Sequence, residues 1–381
     1  MAKVVKIRTF AHSNLKITFF YIMNNNHYCV IMAGGVGSRF WPISRRNKPK
    51  QFLDVLGTGK TFIRTTFERF ANIIPTENIY VATNAAYRDM VLAEIPELSA
   101  DRVLCEPVGR NTAPCIAYAA MHIRSVNPDA TMVVTPSDHL ILNEIHFCEV
   151  IQQCLDFVAE EDSLLTIGLQ PTRPETGYGY IQVNKHKASG KFNKAKTFTE
   201  KPNAELAKIF VDSGEYYWNS GIFVWRVPTI LAAFEKLQPE IYGPLDSIRE
   251  FYGTPAEQEH IDVVYPECKG ISVDYGIMER YDNVWVRCSD LGWSDVGTWG
   301  SIYEYSAKDE HGNTFSTNTF TFDTEGCVIR TPDDKVVVLE GLKDYIVVDT
   351  PDVLMVCPKK AEQNIKRYID TVNFSKGDKF I

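Results

Sequence analysis

The sequence predicts an α/β protein built on a mainly parallel, mixed sheet, with a small β unit at its carboxyl end. Three observations carry this. Short apolar runs alternate with amphipathic stretches through most of the chain, the first firm run leads straight into a glycine-rich basic loop, and from about residue 310 short β-type runs recur at near-constant spacing. At 381 residues and 45% hydrophobic content the chain can bury a sizeable core, with one large domain and one smaller one. The formal net charge of −8 argues against nucleic acid or an anionic membrane as a partner, so any bound anion must be held by a local cluster.

Residues 1–22 differ from the rest of the chain. They carry Lys3, Lys6, Arg8 and Lys16 without an acid, but Lys16 interrupts the apolar run, no cleavage site comes after it, and ITFFYIM is too short to span a bilayer. They are expected to be a disordered or upstream-translated tail ahead of Met23. The strands expected next are YCVIM (28–32), IYVAT (79–83), RVLCE (102–106), TMVVTP (131–136), SLLTIGL (163–169) and GIFVWR (221–226). Helical spacing marks TFIRTTFERFANII and NTAPCIAYAAMHIRSV. Strand followed by helix, repeated, gives a sheet covered on both faces, and such sheets bind ligands beyond the carboxyl ends of their strands.

The boundaries expected are 23–305 for the large domain and 306–381 for the small one. In the latter, GCVIRT, KVVVLEG, DYIVVDT and DVLMVC are separated by turn residues, which suggests a short coil of strands. The final KKAEQNIKRYIDTV places Ile365, Tyr368, Ile369 and Val372 on one face of a helix, to dock on its own chain or on a second subunit. The nine cysteines form no CxxC pair and no zinc-type grouping with histidine, the usage of buried thiols in a reducing, cytoplasmic setting.

The loop AGGVGSRFWPISRRNKPKQF comes directly after a buried strand. Gly34, Gly35 and Gly37 permit close backbone approach and positive φ, Ser38 adds a hydroxyl, and exposed N–H groups on such a turn make an anion-binding concavity. Phe40 stands where a dinucleotide fingerprint needs its last glycine, and the Walker pattern fails here and again at LGTGKT. Arg39, Lys48 and Lys50 complete a phosphate-binding surface of another kind, unless they are the solvated charges of an ordinary surface loop.

This loop closely resembles the signature of the sugar-1-phosphate nucleotidyltransferases, and its WP and PKQF elements look like the mannose-1-phosphate guanylyltransferase branch. The resemblance continues through EPVGRNTAP, TPSDH, ETGYGYI, FTEKP, WNSGIFVW, VDYGIME and SDVGTW, in family order over roughly residues 28–372. It implies a Rossmann-like nucleotidyltransferase domain with a short C-terminal β-helical domain. It also implies GMP transfer from GTP to mannose 1-phosphate, giving GDP-mannose and pyrophosphate. Arg39 and Lys50 would then hold the triphosphate as catalytic cations, and Lys201 would grip the sugar phosphate. Both substrates are polyanions, and a cation ~4 Å from a phosphate charge contributes about 4 kcal/mol at an effective dielectric of 20. The nucleophile is an ionised phosphate oxygen, so no general base and no covalent intermediate is expected.

The resemblance further assigns Asp138 and Asp295 to a Mg2+ ion; taken alone, an aspartate after a strand is more often a helix N-cap. Glu106, Arg110, Asn111 and Thr112 are implied in reading the base, and Gly179, Glu200 and Asn219 the sugar hydroxyls, with Tyr178 and Tyr180 either walling that site or packing in the core. His139 is expected to be structural rather than catalytic. Relatives suggest a homodimer, and the isomerase domain of longer members is expected to be absent. Other readings are a transferase for another sugar 1-phosphate and a non-catalytic sensor of nucleotide sugars. A nicotinamide oxidoreductase is disfavoured by the failed dinucleotide fingerprint.

Overall fold

The computed structural model describes residues 5–12, 15–315 and 318–381 of the chain. Val5–His12 and Leu15–Ile22, within the stretch expected to be a disordered or upstream-translated tail, pair along their whole length as an antiparallel two-stranded ladder. Both segments are rich in β-branched and aromatic residues, the composition that favours extended pairing. The chain divides into two compact units. One comprises residues up to 34, 66–137 and 141–293, and the other 35–65, 138–140 and 294–381. This division differs from a cut at 305, because the glycine loop and Asp138 group with the C-terminal residues.

The first unit is organised by a nine-stranded sheet. Its strands are β1 (His27–Ala33), β2 (Ile79–Asn84), β3 (Val103–Glu106), β4 (Thr131–Pro136), β5 (Leu164–Leu169), β6 (Gly179–Ser189), β7 (Phe192–Glu200), β8 (Tyr216–Arg226) and β9 (Val284–Ser289), in the order β3-β2-β1-β4-β8-β5-β9-β7-β6. The β3-β2-β1-β4 half is parallel, β8 runs antiparallel to both β4 and β5, and β9 is parallel to β5. The six anticipated strands are all present. The hairpin β6–β7 and strand β9 are additions that periodicity missed.

Helix α1 (Thr112–Val126) is buried continuously from Ala113 to Ile123. Its alanines let it lie close against β1 and against helices α2 (Val227–Leu237) and α3 (Pro239–Asp246). A helix apolar all round belongs inside. Trp225, Tyr118 and Phe234 fill the same core. At their carboxyl ends, β1 and β4 finish side by side, with Met32 opposite Pro136, and Ser137 N–H donates to the Met32 carbonyl at 3.1 Å.

In the second unit β10 (Thr319–Phe322) pairs in parallel with β12 (Val337–Glu340), and β11 (Val328–Arg330) with β13 (Tyr345–Asp349). Partners such as Val328 and Ile346 lie two nine-residue steps apart, so each turn of the coil holds two strands. The antiparallel β14 (Leu354–Pro358) ends the coil, and helix α4 (Ile365–Lys376) comes after it. Ile365, Tyr368, Ile369 and Val372 pack on a core containing Phe40, Trp299, Val348 and Met355. The apolar stripe therefore docks on its own chain. All nine cysteines are free thiols, eight of them buried. Among the described residues no helix is long and apolar enough to cross a membrane.

Candidate active site

The glycine loop lies in the second unit. Gly35 and Gly37 have φ of 87° and 71°, and a Cβ on Gly37 would stand 2.4 Å from the Lys50 Cβ, so only glycine lets the two strands of the loop meet. Ser38 and Arg39 come next in an exposed 3-10 turn while Phe40 is buried against Trp299, which anchors the turn. The arginines further on have structural duties. Arg45 donates to both Asp352 oxygens, at 2.8 and 2.5 Å, and Arg46 to Asp378 at 2.9 Å. Trp41 Nε1 donates to the Phe380 carbonyl at 2.6 Å. Arg39 has no ion pair or side-chain hydrogen bond among the described residues.

Lys50 is almost fully buried, and its three N–H bonds are all accounted for. Nζ donates to Asp138 Oδ2 at 2.8 Å, to the Asp138 carbonyl at 3.2 Å and to the Asp295 carbonyl at 2.7 Å. One ammonium thus ties the TPSDH and SDVGTW loops together. Burial alone would raise the Asp138 pKa, but the Lys50 charge, helped by His139 and the Lys50 hydrogen bond, brings it below the usual carboxylate range. Asp138 is therefore ionised at neutral pH. The Asp295 carboxylate accepts from Gly297 N–H at 3.1 Å, next to Val296, a buried β-branched residue held at φ 42°. Such a backbone is costly and persists only where its surroundings over-determine it.

Asp138, Asp295, Lys50 and Arg39 line one cavity of about 450 Å3, together with His139, Gln363 and Lys366. Among the described residues no group of three metal-ligating side chains occurs. Two carboxylates on one cavity nevertheless suit Mg2+, which takes one or two carboxylates and completes its oxygen shell with substrate phosphates and water.

The first unit gathers the residues expected at the sugar. A Cβ on Gly179 would stand 2.4 Å from Glu200 Oε2 and 3.4 Å from the Asn219 Cβ, so three predicted residues do converge. Lys201, at φ 47°, donates through Nζ to Glu200 Oε1 at 2.6 Å. Asn219 Oδ1 accepts from Thr166, and its Nδ2 donates to Asp274 at 2.6 Å. Burial, then the Glu200 charge, pushes the Asp274 pKa up to about 6. Sequence reasoning singled out VDYGIME but gave its aspartate no role; an acid inside an otherwise apolar run was the signal that could have found it. Tyr180 is fully buried with its hydroxyl bonded to the Glu175 backbone, whereas Tyr178 packs edge-on against Trp218.

The base-reading candidates are already engaged in the protein. Asn111, at φ 67°, caps α1 by accepting from Thr112 N–H at 2.8 Å. The Thr112 hydroxyl accepts from Val273 N–H at 2.9 Å. Arg110 donates to the Pro266 carbonyl, leaving its buried Nε without a partner among the described residues. Glu106 is turned into the core, where its carboxylate accepts from the Tyr265 hydroxyl; burial raises its pKa, with Tyr265 and Cys115 bonds opposing. Glu106 therefore does not present its carboxylate at the surface beside the GRNTAP loop.

A glycine-rich basic loop, a buried lysine bonded to two aspartates and a terminal coil of strands together describe a phosphate-handling transferase. The chain belongs to the nucleotidyl transferase family, which residues 28–312 match. Residues 317–371 match the MannoseP isomerase/GMP-like beta-helix domain. Curated relatives include the mannose-1-phosphate guanylyltransferase of Salmonella montevideo, 36% identical over 351 residues, covering 90% of this chain and 73% of the relative. That of Klebsiella pneumoniae is 36% identical over 353 residues with the same coverage. Among solved structures, one described as mannose-1-phosphate geranyltransferase from Thermus thermophilus has a TM-score of 0.81 at 30% identity, covering 91% of this chain and 99% of that one.

Proposed function

We propose that the protein transfers GMP from GTP to α-D-mannose 1-phosphate, releasing pyrophosphate and forming GDP-mannose, with Mg2+ and without a covalent intermediate. The observation that carries this reading is the cavity in which Lys50 joins the Asp138 and Asp295 loops beside Arg39, which has no ion pair among the described residues. A phosphate oxygen of the sugar phosphate attacks the α-phosphorus. The bond from that phosphorus to the bridging oxygen breaks, and its electron pair leaves with pyrophosphate. The attacking oxygen is ionised at neutral pH, so no side chain has to remove a proton.

Arg39 and the glycine-loop amides hold the triphosphate. Lys50, its donors committed to the two aspartate loops, acts by fixing those carboxylates and by its charge. Asp138 and Asp295 would hold the Mg2+, which when bound offsets charge on the α-phosphate and the sugar phosphate. Arg110, Asn111 and Thr112 read the guanine, while Gly179, Glu200, Lys201 and Asn219 receive the sugar phosphate, with Asp274 orienting the Asn219 amide. Homology to named guanylyltransferases supports the substrate pair, and a homodimer in the cytoplasm is the working arrangement.

The test incubates the protein with Mg2+, each of the four common nucleoside triphosphates and a panel of sugar 1-phosphates, and follows pyrophosphate release. GTP with mannose 1-phosphate should give the highest kcat/KM. Release with another pair instead would reassign the substrates, and no release with any pair would favour a sensor.

A further inference from the structure

The cavity that holds Arg39, Lys50, Asp138 and Asp295 is also lined by Gln363 and Lys366, which belong to no motif of the loop or strand ends. Lys366 lies in the first turn of α4. The helix is fixed in place by Ile365, 1% exposed, and by Tyr368, Ile369 and Val372 on the unit's core, so the neighbouring Lys366 is carried to the cavity by a rigid element. Lys366 makes no hydrogen bond or ion pair among the described residues.

The 3-10 turn Lys359–Asn364 runs directly into α4, and Lys366 and Arg367 sit side by side in the first turn of that helix, which holds no acid. Arg39 and Lys366, two cations lining one cavity, repel each other unless an anion lies between them. Such inconsistencies concentrate at functional sites. The carboxylates in the cavity do not fill that place, since Asp138 is paired to Lys50 and Asp295 is bonded to Gly297.

We infer that Lys366 binds the β- or γ-phosphate of the nucleoside triphosphate and stays with the departing pyrophosphate, forming with Arg39 a two-cation grip supplied from opposite ends of the chain. This rests on the nucleotidyl-transfer reading above. When the α-phosphorus–oxygen bond breaks, the added negative charge falls on the pyrophosphate, and a second cation there offsets it. The C-terminal segment then contributes to the chemistry as well as to the fold.

The experiment compares the full-length protein with Lys366→Ala, Lys366→Arg and Arg367→Ala, the last an exposed cation of the same turn that does not line the cavity. One charge-assisted contact corresponds to at least about a tenfold change. Lys366→Ala should therefore raise the KM for GTP and the calorimetric Kd for Mg-pyrophosphate by about tenfold, leaving the KM for mannose 1-phosphate and the melting temperature unchanged. Lys366→Arg should recover most of the loss, and Arg367→Ala should behave as wild type. Unchanged GTP and pyrophosphate constants in Lys366→Ala, or an equal loss in Arg367→Ala, overturn the inference. A wild type that binds pyrophosphate through Lys366 but turns over no substrate pair would sustain this site and remove the proposed reaction.

Discussion

Replacing Lys50 by methionine keeps a stem of similar length and removes the ammonium. In the native protein that group makes bonds of 2.8, 3.2 and 2.7 Å to Asp138 and Asp295. The lysine side chain is 5% exposed, so water does not replace the lost donors there, whereas Asp138, at 32%, recovers part of its hydration. A hydrogen bond from a charged group contributes about 1.5–3 kcal/mol, and three sharing one cation are not additive. With some return from the buried thioether, the net loss is about 3 kcal/mol. At roughly 2 °C per kcal/mol for a chain of this size, melting falls by about 6 °C.

The pH dependence carries the sharper test. In the native fold the Asp138 pKa lies below its unfolded value, so its contribution is fully present above pH ~4 and is lost as pH falls through the folded pKa. Without Lys50 its charge and hydrogen bond are lost and burial is opposed only by His139 and a backbone bond, so the folded pKa moves upward and the stabilisation that Asp138 contributes above pH ~4 shrinks. Urea unfolding at pH 4, 5.5 and 7 should show the gap between native and Lys50→Met proteins widening with pH. A gap that is constant with pH, or below about 0.5 kcal/mol at pH 7, refutes the reasoning. Turnover should fall by about 10²-fold or more.

Three further changes probe the rest. Gly179→Ala forces the tip of Glu200 aside by ~1 Å; since a flexible tip yields easily, melting should hold while the KM for the sugar 1-phosphate rises about tenfold, and an unchanged KM would separate these residues from the sugar. Asp295→Asn preserves size and should reduce turnover by about 10²-fold or more with melting unaltered; full activity would remove it from the metal site. Because the Asp274 pKa is raised to about 6, its stabilising contribution is present at acid pH and lost as pH rises from ~4 to about 6. Asp274→Asn should flatten the unfolding free energy across that window, and a persisting slope would assign it elsewhere.

Much of this was legible beforehand because local chemistry and tertiary role agree. Strands such as TMVVTP are buried on both faces and read as continuous apolar runs, and the helix bearing Ile365 and Tyr368 shows its period plainly. The β6–β7 hairpin was missed because GYIQVNKHKAS is apolar only at its start and becomes exposed towards its end. Site residues named from motifs fall into clusters, Gly179 with Glu200 and Asn219, and Lys50 with Asp138 and Asp295. What no motif conveyed was commitment: that the donors of Lys50 are already spent, that Glu106 points inward to Tyr265, and that Asn111 caps a helix. Those depend on which partner the fold brings within reach, and Lys366 reaches the cavity through the packing of α4 on the core of its unit.

The bonds from Trp41, Arg45 and Arg46 to Phe380, Asp352 and Asp378 bear on modularity. A glycine loop braced in this way is not portable: grafted onto a relative lacking the coil, it would bring two guanidinium groups without their acids and an indole without its acceptor. Loop and coil are therefore expected to be inherited, exchanged or lost as one piece, and chimeras that split them should fail at the triphosphate even when every motif residue is retained.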